Sequence, residues 1–362
     1  AGMSRYGGGG HTEGAVLRAL RWLKKNQEAD GSWNGKSGGG GGPAGIESAM
    51  TGLALLTYLA HGETPASPEF GGTVDKAIKA LLRLQEGAGW PRPYQHPIAT
   101  YAMCEAYSMT KVPTLKAAAK KGLDIIVVGQ NPTGGFDYGL NNTARDDTSV
   151  MGWCAQAMKA GKIGGIDTPN LEAAIKKGIE GFKKNYQGDS TTGGFGYTGP
   201  GKTGLTGVGV LCLQLLGSAK AQEARGGLAT LQTGTFNWAD AKWNTVYYWY
   251  YDTQARFHEG GECWKSWNKL FSVPLVKAQQ IIPQGIATPS GKMVDIGFWD
   301  ATNERGGRVM DTTLCALMLQ VYYRYLPTFA KPEDMAAEAN KAGAGEKTGT
   351  VDAKDLNIEV KL

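Results

Sequence analysis

The chain has 362 residues, 41% of them hydrophobic and 20% charged, with a formal net charge of +5. That length supports one large domain with a substantial core. The small positive excess is spread along the chain, as at Lys24, Lys25, Lys176, Lys177, Lys183 and Lys184, which describes a solvated face and excludes a concentrated nucleic-acid footprint.

Residues 1–11 are Gly-rich and are expected to form a flexible N-terminus. Paired helical patterns follow, predicted over 12–27 and 46–60, 73–85 and 96–109, and 113–128 and 147–160. Three more pairs are predicted over 169–186 and 204–216, 219–232 and 243–258, and 262–279 and 310–326. The first member of each pair is the more charged. The second is more continuously apolar, as in TGVGVLCLQLL and TTLCALMLQVYY. That contrast predicts an outer ring of first helices around an inner ring of second helices. Six pairs point to an all-α (α/α)6 toroid over residues 12–329, with an open solenoid as the alternative. Residues 330–362 are rich in Ala, Gly, Lys and Glu and are expected to be a polar tail or linker.

A glutamine followed by Gly-x-Trp or Gly-Phe recurs between the members of a pair. It occurs at Gln27 with Trp33, Gln85 with Trp90, Gln130 with Phe136, and Gln187 with Phe195. Weaker copies surround Gln232 with Trp238, and Gln279. Trp33 and Trp90 are expected to pack against outer helices rather than line a cavity.

The five cysteines form no CxxC pair and no disulfide framework, and four of them read as small buried residues. No uninterrupted transmembrane stretch and no signal peptide are visible, and localisation is left open. HExxH, P-loop, dinucleotide-loop, GxSxG and EF-hand patterns are missing, so neither a cofactor nor a bound metal is expected.

These glutamine–tryptophan segments, RALRWLKKNQEADGSW above all, resemble the QW repeats of the terpenoid cyclase and protein prenyltransferase β-subunit superfamily. The resemblance covers roughly residues 12–326 and implies an α/α barrel with a central cavity. GGFDYGLNNTARDDTSVMGW is similar to the glycine–aromatic turn and Asp-x-Asp-Asp-Thr segment of squalene–hopene cyclases. So aligned, Asp146 falls where that family has its proton-donating aspartate, Asp147 is the next carboxylate, and Ala144 replaces the first aspartate. No triterpene cyclisation is therefore expected.

Read from the residues alone, Asp146 and Asp147 precede an apolar helix. They suit either helix capping or an acid–base pair. His96, Asp146, Asp147 and Asp311 begin inner helices and are expected to share one polar mouth as candidate catalytic groups. Tyr247, Tyr250 and Tyr251, with Trp153, His258 and Glu262, are the candidate ligand-binding wall; a packed aromatic core is the other reading. The expected partner of a monomer is an apolar, isoprenoid-like small molecule or a glycan. A polysaccharide-processing enzyme and a non-catalytic interaction scaffold are the alternatives, and whether the chain is an enzyme stays open. A cavity lined by hydrophobes favours the first, an open groove with paired carboxylates and exposed tryptophans the second, and a filled barrel the third.

Overall fold

The fold comes from a computed structural model that describes residues 4, 6–87, 89–323 and 328. The predicted tail over 330–362 lies outside the described residues, as do residues 324–326 of the last predicted helix. Among the described residues, twelve long helices follow one another, joined by turns, loops and two hairpins. The odd-numbered, outer helices are α1 (Gly10–Lys25), α3 (Gly71–Leu84), α5 (Pro113–Val128), α7 (Leu171–Lys184), α9 (Gln222–Leu231) and α11 (Gly261–Lys277). The inner helices are α2 (Glu47–Ala60), α4 (Gln95–Thr110), α6 (Thr148–Ile163), α8 (Thr206–Leu215), α10 (Trp243–Glu259) and α12 (Gly307–Gln320). The result is an all-helical, repeat-packed domain. Among the described residues, no helix is long and apolar enough to cross a membrane.

Burial follows the contrast between the two sets. In α2 all residues from Ser48 to Ala60 are buried, whereas α3 and α7 bury one stripe each and turn charge outward. Each inner helix packs on the next: α2 on α4, then α6, α8, α10 and α12, and α12 packs back on α2.

The glutamines explain how outer helices are spaced. Gln27 donates to Gly31 O and Thr73 O, Gln85 to Ala118 O, and Gln130 to Gly134 O and Ala174 O, each at 2.9–3.0 Å. Each therefore satisfies a backbone carbonyl on the following outer helix. Gln279 donates to Ala15 O at 2.8 Å, which carries the same tie from the last repeat to the first. The tryptophan indoles secure their own repeat: Trp33 donates to Leu23 O and Trp90 to Leu81 O, both at 2.9 Å. Both side chains are buried, as expected.

Three copies of the repeat differ from the sequence reading. In the fifth, Gln232 is exposed and Trp238 half-buried, and Phe236 packs on Trp249, Trp267 and Phe271. Gln187 is exposed on strand β1 (Tyr186–Gly188), which pairs antiparallel with β2 (Gly193–Phe195). The inward position belongs to Asn185, which donates to Asp146 O at 3.0 Å and Thr148 Oγ1 at 2.8 Å. In the last repeat, a hairpin of β3 (Gln280–Ala287) and β4 (Met293–Phe298) separates Gln279 from its aromatic partner. That partner is Trp299, whose indole donates to Leu275 O at 2.8 Å.

The first repeat closes against the last through several further contacts. Gln320 donates to Thr57 O at 2.9 Å, and Trp22 stacks on Phe298. The SGGGGGPAG loop meets the start of α12 backbone to backbone. A Cβ on Gly42 would lie 2.6 Å from Gly307 N, and one on Gly40 would lie 2.9 Å from Arg308 N. Glycine is needed there because no side chain fits between the two backbones. At the other end of α2, His61 sits between Glu13 and Glu63, at 3.0 and 2.7 Å, and Tyr323 also bonds Glu13. Burial alone would lower the imidazole pKa, but the two carboxylates outweigh it and hold His61 at about 9. Tyr6 packs edge-on against Phe257, and its carbonyl accepts the Trp264 indole at 2.9 Å, so part of the Gly-rich start is tied to α10 and α11.

Candidate functional site

Every glutamine–aromatic turn runs into the N-terminus of an inner helix, and neighbouring turns touch. Gln95 bonds Ser48 N and Gly45 O, at 3.2 and 3.0 Å. Tyr94 packs on Tyr138, and Arg145 lies over Tyr197. Tyr248 covers Gly204, Arg305 lies over Trp243, and Arg308 reaches Gly38 O at 3.1 Å. One end of the domain therefore collects the turns of all six repeats.

The predicted catalytic groups lie at this end, but each serves its own turn. His96 is buried and accepts Trp90 N at Nδ1, 3.2 Å away. A backbone N–H can only donate, so the ring proton is on Nε2, which donates to Gly122 O at 3.0 Å. Burial lowers its pKa to about 4. Thr51, Thr206 and Thr312 hold the corresponding N–H groups of Trp33, Phe195 and Trp299, at 3.1–3.2 Å. His96 thus fills a place that three other repeats give to threonine. Asp311 accepts Ala301 N at 2.7 Å and Asn303 Nδ2 at 2.8 Å, with burial raising its pKa to about 6.

Asp146 and Asp147 are adjacent in sequence but diverge. Asp146 Oδ1 accepts Asn131 Nδ2 at 2.8 Å and Thr133 Oγ1 at 2.7 Å, binding its own loop. Asp147 caps α6 by accepting Ser149 N at 3.0 Å, and its other oxygen pairs with Arg145 at 3.0 Å. Both bonds to Asp146 reach one oxygen, which asparagine also provides. Asp146→Asn is therefore expected to cost under about 1 kcal/mol, and Asp146→Ala about 1–3 kcal/mol through orphaned donors. Chemical denaturation of both variants checks this; equal losses would contradict the bonding pattern.

Tyr247, Tyr250, Tyr251 and Trp153 do come together. Tyr247 donates to Ser149 O at 2.7 Å. Trp153 stacks on Tyr250 with centroids 5.6 Å apart and meets Tyr247 and Tyr251 edge-on. Gln156 bonds both Tyr250 and Tyr251, at 3.0 and 3.1 Å. In the order of inner helices α8 lies between α6 and α10, so these contacts reach past a neighbour and fill space between non-adjacent helices. Deeper still, Glu105 is buried beside Tyr101, one carboxylate oxygen has no hydrogen-bond partner, and burial raises its pKa to about 7. His258 and Glu262 are not part of this group. His258 lies eleven residues beyond Tyr247 on α10, about 16 Å along the helix axis. Glu262 is exposed on α11 and pairs with Lys265 at 2.8 Å.

A partly exposed polar cluster at the turn end was not apparent from sequence. Arg145 bridges Asp137 and Asp147 and lies 4.9 Å from the Tyr138 ring centroid and 5.5 Å from that of Tyr197. Hydroxyls run from Tyr197 to Tyr138, Tyr94 and Ser149, the last step at 2.8 Å. Burial raises the Tyr94 and Tyr197 pKa values, so both hydroxyls stay protonated at neutral pH. No group of His, Cys, Asp and Glu that could hold a metal occurs among the described residues. Two clefts on the outer wall, of about 340 and 420 Å³, lie along α5 and include none of the residues predicted as a site.

No known family profile matches the chain, and no curated protein is significantly similar to it.

Proposed function

We propose that the chain is a terpenoid-cyclase-like (α/α)6 toroid that serves as a non-catalytic binding scaffold and engages its ligand at the end where the turns converge. The return of α12 onto α2 and the glutamine tie from Gln279 to Ala15 support closure. One observation carries the preference for a scaffold over a cyclase-like chamber. Trp153, Tyr247, Tyr250 and Tyr251 are buried against one another where an apolar substrate would need room. The predicted carboxylates are also engaged in turn and cap bonds rather than poised as an acid–base pair.

Titration with dansyl-farnesol, followed by quenching of tryptophan fluorescence, tests this reading. Wild type is expected to show no saturable interior binding. Trp153→Ala, which hollows the centre, is expected to gain it. Saturable quenching of wild type that squalene competes away would instead establish an isoprenoid chamber.

A further inference from the structure

We propose that Tyr138, Arg145 and Tyr197 form a binding site for a neutral polyhydroxylated ligand, a segment of glycan chain. The proposal rests on the reading that ligands meet the turn-bearing end. Charge narrows the ligand class first. The ion-paired trio holds one cation, Arg145, and two carboxylates, Asp137 and Asp147. An anion would face an excess of negative charge, and a cation would meet the guanidinium covering both acids. The α6 N-terminus gives an anion no foothold either, since Asp147 already takes the Ser149 amide. A neutral ligand avoids both conflicts.

Surface chemistry then selects a sugar over an apolar molecule. Tyr197 is 43% exposed, and Arg145 lies over its ring; an exposed tyrosine ring suits the C–H side of a pyranose. Arg145 is 40% exposed; Asp137, Asp147 and the Tyr197 hydroxyl engage part of its guanidinium, which has five N–H groups. The remaining donors can reach ligand hydroxyls. The Tyr197–Tyr138–Tyr94–Ser149 chain adds hydroxyls that both donate and accept, matching the mixed demand of a sugar diol. Ion pairs, cap and hydroxyl chain hold these groups in place before a ligand arrives, which limits the ordering cost of binding.

Screening the full chain on an array of neutral and acidic glycans, then calorimetry with cellohexaose, xylohexaose and maltohexaose, tests the site. A neutral glycan is expected to bind saturably. Tyr197→Ala should weaken it by about tenfold or more, the loss expected for a central aromatic contact. Tyr197→Phe should retain most affinity, and Tyr107→Ala, at the opposite end of α4, should leave it unchanged. An unaltered melting curve for Tyr197→Ala would separate lost contact from lost fold. The proposal is overturned by no saturable neutral glycan, by binding confined to acidic glycans or peptides, or by neutral-glycan binding indifferent to Tyr197→Ala. Dansyl-farnesol in the wild-type interior would defeat the scaffold reading separately, whatever the glycans do.

Discussion

Replacing Trp33 with alanine is expected to destabilise the fold by about 3–5 kcal/mol. The indole is fully buried, donates to Leu23 O at 2.9 Å and leans on Tyr58. Its loss leaves a cavity where α1 turns towards α2 and removes one of two donors from Leu23 O, which Asn26 N also reaches at 3.2 Å. The first outer helix also carries Ala15, the acceptor for Gln279, so the cavity lies in the repeat to which the last one is tied. Reversible urea unfolding measures the loss directly. A change below about 1 kcal/mol would show that the site collapses without penalty and that the turn does not hold the repeat.

The second large effect depends on pH and comes from Glu105. Its folded-state pKa, about 7, lies above the ordinary glutamate value of 4.5. Below pH 4.5 the acid is neutral in both states, and its contribution to folding is fully present. Between 4.5 and 7 the unfolded chain releases the proton more readily, so stability falls as pH rises. Above 7 the loss is complete and amounts to about 3 kcal/mol for a shift of this size. Glu105→Gln removes the titration while keeping the shape. The variant is expected to match wild type near pH 4 and exceed it by up to about 3 kcal/mol at pH 8. Parallel stability profiles across that range would refute the assignment.

Periodicity made the helices legible because each inner helix is apolar nearly all round and each outer one on a single stripe. Predicted and observed spans differ by only a few residues, and α5 spans 113–128 in both. The glutamine–aromatic copies were legible where the turn is short. They failed at Gln187, where a hairpin shifts the inward position to Asn185, and at Gln232, which is exposed; Gln279 makes its tie, with β3 and β4 carrying the aromatic away to Trp299. Sequence also placed Asp146 and Asp147 at a helix start. It could not show that neighbouring backbone positions send one carboxylate into its loop and the other to the cap. His96 looked like a candidate for chemistry because it begins an inner helix, as the other predicted polar groups do. Its actual neighbours, a backbone amide and a carbonyl, are fixed by packing. Arg145, Tyr138 and Tyr197 went unnoticed for a different reason: they belong to irregular loops of two repeats, and no spacing rule brings them together.

The closing contacts between the last repeat and the first have a consequence for how the molecule is made and how it could be cut. The acceptor at Ala15 is synthesised 264 residues before its donor at Gln279, and Thr57 precedes Gln320 by 263. During translation the flank of the first hairpin therefore stays uncovered until the residues of the last repeat have been made, and contacts of such sequence separation form slowly. The same contacts bring Tyr323 to Glu13, beside the start of the chain. The first and last repeats are thus neighbours in the fold although the sequence sets them farthest apart. A circular permutant joined across that seam and opened at the Gly199–Gly201 loop would retain every glutamine tie, and its early hairpins would be different ones.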